Sequence, residues 1–191
     1  MLRKNTGLRI IGGDLKGKKL YSIPGTTIRP TADRLRESIF NILSFRVQDA
    51  VVLDLFAGTG ALGIEALSRG AESVVFVDNN KGVISVIDRN VRACSLGNRA
   101  KMIKWDIKKN LNCLKSIRPA FNLVFLDPPY NQSMVKPALS NLEQSRSLGK
   151  EACFVIEHSP LEKIQKDLSN FEVTDQRRYG KTLVSFLNYM V

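Results

Sequence analysis

From residue 50 onward the chain alternates short apolar runs, Gly-marked turns and amphipathic stretches, and this rhythm limits the folds open to it more than any other feature. Val51 to Phe56 is an almost unbroken apolar run, as expected of a parallel strand covered on both faces, and a Gly-rich turn follows it. Ala61 to Ser68 reads as helix, Ser73 to Val77 as strand, and Val83, Ile87, Val91 and Cys94 space out a second amphipathic helix. Lys101 to Trp105 is a third strand, residues 107 to 116 a third helix and Phe121 to Leu126 a fourth strand. Residues 134 to 145 and 161 to 168 are predicted helices around a fifth strand at Ala152 to Glu157. The alternation predicts an α/β fold built on an open, doubly wound sheet. Its end departs from the pattern, because only Tyr179-Gly180-Lys181 separates Phe171 to Arg178 from Thr182 to Tyr189. So short a link makes an antiparallel hairpin, unlike the all-parallel arrangement of dinucleotide-binding sheets.

The first 46 residues follow another plan. Residues 1 to 6 are polar and expected to fray, and Leu8 to Ile11 and Lys18 to Tyr21 flank the Gly-rich turn Gly12 to Gly17, which predicts a small basic hairpin. Pro30 and Thr31 mark a helix start, and Leu35, Ile39, Ile42 and Leu43 give that helix one apolar face. Residues 1–46 are therefore expected to form a small basic hairpin-and-helix extension ahead of an α/β domain over 47–191. No linker or repeat interrupts the latter.

Charge supports that division. The 191 residues hold 29 Lys and Arg against 18 Asp and Glu, a net +11, and residues 1–46 hold ten basic and three acidic side chains, a net +7. Such a field favours polyanions, of which nucleic acid is the commonest. Lys16, Lys18, Lys19, Arg29, Arg34 and Arg36 are the candidate phosphate contacts; the alternative is a solvated basic face. A second cluster from Arg99 to Arg118 has seven basic residues and one acid, and its role is open. Cys94, Cys113 and Cys153 are odd in number and widely spaced, so no metal site or disulfide framework is expected. They are read as reduced and buried. No apolar stretch approaches the ~20 residues that span a bilayer, which predicts a cytoplasmic protein.

Two motifs carry chemistry. In Asp54-Leu-Phe56-Ala57-Gly58-Thr59-Gly60-Ala-Leu-Gly63 the glycines stand where a strand passes into a helix, so the backbone can approach a ligand and the helix offers it free N–H groups. The glycines satisfy G-x-G-x-x-G, a weak pattern that leaves a nicotinamide or flavin cofactor open. Asp54, near the end of the first strand, suits a cationic amine better than a pyrophosphate, unless it caps the loop's own N–H groups. Asp78 closes the next strand where a carboxylate binds ribose hydroxyls, or else Asp78-Asn79-Asn80 is a helix cap. Asp106 follows the third strand, where an adenine amine would lie, or else it is an exposed loop aspartate.

The second motif, Asp127-Pro128-Pro129-Tyr130, is delivered by an apolar strand to the same edge. Neither proline has an N–H, and proline restricts the residue before it, so the Asp127 carboxylate and Pro128 carbonyl form an acceptor-rich corner. An exocyclic amine on a nucleobase needs such acceptors, and Tyr130 can stack on the base. His158 has no partner motif and is read as structural or at the substrate's edge. Trp105 is read as core or as a wall beside an adenine.

Asp54-x-x-x-Gly58-x-Gly60 followed by Asp127-Pro-Pro-Tyr130 resembles S-adenosylmethionine-dependent amino-methyltransferases. With Arg9-Ile-Ile-Gly-Gly13, Arg29-Pro-Thr31, Arg34, Arg36 and Glu37 added, the pattern is similar to the bacterial small-subunit ribosomal RNA guanine-N2 methyltransferase family over nearly the whole chain. The resemblance implies a Rossmann-like class I methyltransferase with a seven-stranded, mostly parallel sheet. Asp54, Phe56, Ala57, Gly58, Thr59, Gly60, Asp78, Asn79 and Asp106 would hold S-adenosylmethionine, and Asp127, Pro128, Pro129 and Tyr130 would act on the amine. It implies methyl transfer to a guanosine N2 in 16S ribosomal RNA, in an assembling subunit, by a monomer that needs no metal. The Asp-Pro-Pro-Tyr element alone is shared with adenine-N6 and cytosine-N4 enzymes. Two rivals remain at this stage. A dehydrogenase leaves Asp-Pro-Pro-Tyr without a task, and a non-catalytic RNA-binding module leaves the acceptor corner unexplained.

Overall fold

The computed structural model describes residues 4–23, 30–130, 132–162, 164 and 170–191. Seven strands form the main sheet: β3 (Val51–Leu55), β4 (Ser73–Asp78), β5 (Ala100–Lys104), β6 (Phe121–Leu126), β7 (Leu148–His158), β8 (Phe171–Tyr179) and β9 (Thr182–Tyr189). Their order is β5-β4-β3-β6-β7-β9-β8, parallel from β5 to β7 and antiparallel at β7–β9 and β9–β8. The β8–β9 link is tight enough that Tyr179 pairs with Thr182, with Gly180 at φ +61°. The doubly wound sheet with a terminal hairpin is therefore present, and the sheet reverses direction of winding between β3 and β6.

Both sheet faces are covered, which is why β3 is buried at every residue. One face packs on α1 (Pro30–Leu43), α2 (Ala61–Ser68) and α3 (Lys81–Ala93), with Phe40, Ile64, Ile87, Phe76 and Phe125 in one apolar cluster. The other packs on α4 (Val135–Ser145) and the segment after β5, where Leu139, Leu142, Ile107, Leu111 and Leu114 meet Leu53, Val124 and Phe154.

The N-terminal hairpin pairs β1 (Lys4–Arg9) with β2 (Lys19–Tyr21). Its first strand begins at Lys4, within the stretch expected to fray, and ends two residues before the expected Ile11. The reason is that the Ile11 N–H leaves the ladder to donate to Glu65 Oε2 at 2.8 Å on α2. Gly13 rests on the end of α2 so closely that a Cβ would lie 1.9 Å from the Ser68 carbonyl oxygen, and its φ of +72° also favours glycine. Leu8, Ile10 and Leu20 share the cluster of α1, α2 and the sheet, each worth about 1.5–3 kcal/mol of burial. The hairpin is thus bound into the main core.

Two expected helices differ. Residues 107 to 116 form turns with a single 3-10 turn at Asn112–Leu114. Ile107, Leu111 and Leu114 are buried there. Asp106 Oδ1 accepts from the Lys108 N–H and Asn110 Oδ1 from the Asn112 N–H, and these local bonds divert the backbone from a helix. The helix expected at 161 to 168 lies largely outside the described residues, and Leu161 within it sits in a turn. Cys94 and Cys153 are buried free thiols and Cys113 is half-buried. Among the described residues no helix is long and apolar enough to cross a membrane, and no cluster of side chains suits a metal ion.

Candidate active site

A cleft of about 560 Å3 opens at the carboxyl ends of β4, β3, β6 and β7, lined by Phe56, Gly58, Asp78, Asn79, Asp106 and Asp-Pro-Pro-Tyr130, with Lys108, Gln132 and Glu157. The parallel register sets it up. Leu55 pairs with Leu126 and Leu126 with Ile156, so the next residues, Phe56, Asp127 and Glu157, emerge side by side. This is the crevice at which open α/β sheets take ligands.

The glycine turn builds one wall. Phe56 has φ +57°, an uncommon conformation for a bulky side chain and a strain on the order of 1–3 kcal/mol held at the cleft. The Ala57 carbonyl accepts from the Gly60 N–H at 2.7 Å, and Gly60 enters α2 at φ +74°. Gly63 serves packing: a Cβ there would lie 2.4 Å from the Phe76 ring. The Thr59 carbonyl is held by Asn90 Nδ2 at 2.9 Å. Asp54 is buried below this wall, 2% exposed, and its Oδ2 accepts from the Gly63 N–H at 3.0 Å. Of its two sequence readings the structure displays the one in which it secures the turn. Burial pushes its pKa up to about 8; the Gly63 bond opposes this and the Asp78 charge adds to it.

Asp78 stands half-buried at the cleft. Its Oδ2 lies 3.5 Å from the Gly58 N–H, and its Oδ1 accepts from the Asn80 N–H. The cap of α3 is Asn80, which accepts from Gly82 and Val83, so Asp78 and Asn79 are left facing the cleft. Asp106 lies opposite. It also borders an adjoining hollow of about 430 Å3 lined by Asn79, Lys104, Trp105, Lys109 and Asn110. Trp105, with its Nε1 donating to the Asn110 carbonyl, is a wall of this second hollow.

At the other end Pro128 is buried, while Asp127, Pro129 and Tyr130 open onto the cleft. Desolvation raises the Asp127 pKa well above the usual range, and repulsion from Glu157 and Asp54 raises it further. Glu157 is itself raised by burial, although the Tyr130 hydroxyl bond opposes this. That hydroxyl donates to Glu157 Oε1 at 2.5 Å and lies 2.9 Å from Thr182 Oγ1, which fixes the ring at the rim. Burial, followed by its hydrogen bond to Glu157, raises the Tyr130 pKa. Glu157 and Thr182 escaped the sequence reading. The available signal for Glu157 was a carboxylate ending the fifth strand at the same edge as Asp127. His158, fully buried, bonds the Ser159 carbonyl and Ser185 Oγ and stays out of the cleft.

The basic candidates separate. Arg34 is exposed on α1. Lys16, Lys18 and Lys19 sit around the hairpin turn that Ser68 holds, at the end of α2 away from the glycine turn. Arg36 is corrected: it is 5% exposed, and its Nη2 donates to the Arg9 carbonyl and to Asp33 Oδ1, joining helix to hairpin. The docked hairpin covers it, so its reading as a surface phosphate contact is not supported. Arg29 lies outside the described residues.

The sheet order, with the glycine turn and the Asp-Pro-Pro-Tyr corner meeting at one cleft, is that of a Rossmann-like, S-adenosylmethionine-dependent methyltransferase. The family model described as "Conserved hypothetical protein 95" matches residues 8–188, and the chain belongs to that family. "Putative rRNA methyltransferase YlbH" of Bacillus subtilis is 34% identical over 178 residues, covering 93% of this chain and 97% of the relative. "Ribosomal RNA small subunit methyltransferase D" of Escherichia coli K12 is 35% identical over 150 residues, covering 78% and 74%. The solved structure titled "Putative methyltransferase yhhF from Escherichia coli" superposes with a TM-score of 0.82 at 28% identity, covering 96% of this chain and 98% of that one. The dehydrogenase reading of the glycine pattern is thereby set aside.

Proposed function

We propose that the protein methylates the exocyclic N2 amine of one guanosine in small-subunit ribosomal RNA, presented within an assembling particle. The observation that carries this reading is the acceptor corner of Asp127 and the Pro128 carbonyl beside the Tyr130 ring. It is reinforced by the relatives named ribosomal RNA small subunit methyltransferase D and by the excess of basic residues.

The cleft fits S-adenosylmethionine by size and by donor set, since ligand clefts run to roughly 300–1,000 Å3 and this one offers carboxylates to hydroxyl and amine groups. Asp78 and Asn79 would hold the ribose, Asp106 the adenine amine, and the turn from Phe56 to Gly60 the methionine end, with Asp54 setting that turn from below. When bound, the cofactor supplies a methyl carbon on a positively charged sulfur.

The chain's own groups prepare the amine. An unpaired nucleobase leaves its stack, as enzymes acting on bases require, and lies on Tyr130, whose ring Glu157 and Thr182 keep in place. The Asp127 carboxylate and Pro128 carbonyl accept the two amine hydrogens, which turns the nitrogen lone pair toward the cleft. As the nitrogen gains a bond it becomes acidic, and its proton passes to Asp127 Oδ, whose raised pKa makes it a ready acceptor. Nucleoside mass mapping of 16S ribosomal RNA from cells with and without this chain tests the reading. The expected result is loss of one N2-methylguanosine, and loss of an N6-methyladenosine instead would reassign the base.

A further inference from the structure

We propose that the tip of the β8–β9 hairpin is a phosphate-binding rim of the cleft, where Arg178 and Lys181 grip the RNA backbone beside the target nucleotide. This deepens the ribosomal RNA reading and rests on it.

Topology puts the tip in the right place. β7 runs parallel to β6, β9 runs back against it and β8 reverses again, so the β8–β9 turn lies at the same edge as the cleft. Contact confirms it, because Thr182 Oγ1 lies 2.9 Å from the Tyr130 hydroxyl. Lys181 precedes Thr182 directly, with its Cα about 3.8 Å from that of Thr182. The tip is also braced from behind, where the Tyr179 hydroxyl hydrogen-bonds Ser38 on α1. A turn held on both sides presents its cations at a set distance from the base-stacking ring.

The cations are available there. Arg178 and Lys181 are exposed, and neither forms an ion pair among the described residues. Arg178 spends only its Nε, on the Gly180 carbonyl at 3.1 Å, which leaves both terminal nitrogens free to fork onto a phosphate. Other arginines are committed: Arg177 pairs with Asp175, and Arg99 reaches the Leu67, Ala71 and Glu72 carbonyls.

Charge explains why a rim is needed. Asp78, Asp106, Asp127 and Glu157 line the cleft, so its floor accepts a neutral base and repels the phosphates attached to it. Backbone charge must be met outside the carboxylates, on the Tyr130 side where the nucleotide enters. Lys108 occupies the opposite lip beside Asp106 and Gln132, at the adenosine end.

The test uses the double variant R178A/K181A and small-subunit particles from cells that lack this chain. Salt-dependent binding, methyl-transfer kinetics and calorimetric affinity for S-adenosylhomocysteine are compared with wild type. The expected result is a fall of about two in the slope of log affinity against log salt and a KM for particles raised about tenfold or more. Affinity for S-adenosylhomocysteine and kcat at saturating particle should stay within about twofold. The charge-preserving pair R178K/K181R should recover most of the slope. Unchanged slope and KM in the alanine variant, beside an active wild type, overturn this inference alone. A wild type that methylates no ribosomal RNA overturns the substrate reading as well.

Discussion

The floor of the cleft and the surface around it carry opposite charge. Asp54, Asp78, Asp106, Asp127 and Glu157 gather at one site in a chain whose basic residues outnumber its acidic ones by 29 to 18. A uniformly basic protein would hold RNA without choosing which part of a nucleotide enters. On the proposed function, the acids would reserve the interior for hydroxyls, amines and a cationic sulfonium, while lysines and arginines around it would hold phosphate. Chemistry and affinity are thereby assigned to different side chains and can be altered separately.

The strongest way to break that division is at the floor. Asp127→Ala should lower kcat by roughly 10²–10³, the usual effect of deleting one preorganised polar contact to the reacting group. S-adenosylhomocysteine affinity measured by calorimetry should stay within about twofold. Equal loss of both would mean that Asp127 serves the cofactor instead.

Glu157→Gln comes next. Glu157 is the second cause of the raised Asp127 pKa, after desolvation, so neutralising it lowers that pKa. If Asp127 must be ionised to hold the amine, the acid limb of the pH–rate profile moves to lower pH. A weakened Tyr130 clamp should raise KM about tenfold in the same variant, on the scale of one charged hydrogen bond. An acid limb that stays in place would uncouple the two carboxylates.

Stability offers a third measure. Asp54 has a folded pKa of about 8 against 3.8 as reference, so the folded state binds the extra proton between those values. Its contribution is most favourable below about pH 4 and declines as pH rises to about 8. Wild-type Tm should therefore fall between pH 6 and pH 8, and Asp54→Asn, which keeps an acceptor for Gly63, should flatten that fall. Asp127 and Glu157, shifted the same way, leave a residual slope.

The smallest effect belongs to the surface far from the cleft. Lys16→Ala with Lys19→Ala should reduce the salt slope of particle binding by at most about two, one per phosphate contact, without a change in kcat. A change in kcat would show that the N-terminal hairpin reaches the reacting nucleotide.

Much of this was legible in the chain itself. The apolar runs and glycine turns located the central strands, because a strand buried on both faces must be apolar throughout and its exit to a helix needs left-handed backbone at Gly58 and Gly60. Asp-Pro-Pro-Tyr was legible because proline acts on its immediate neighbours. What escaped was set by distant partners. Glu157 and Thr182 meet Tyr130 across 27 and 52 residues, which no local pattern encodes. The helix expected at 107 to 116 failed where Asp106 and Asn110 captured nearby N–H groups.

The sequence by itself determined the strand rhythm, the glycine turn, the acceptor corner and the basic excess, all of which follow from residue type and short spacing. Tertiary structure alone decided which charges do which work. It covered Arg36 with the docked hairpin, left Arg178 and Lys181 exposed at the β8–β9 turn on the sheet edge that carries the cleft, and set Glu157 beside Asp127. A charge acquires its role from what desolvates it and what stands opposite, and in this protein those neighbours come from strands far apart in the chain.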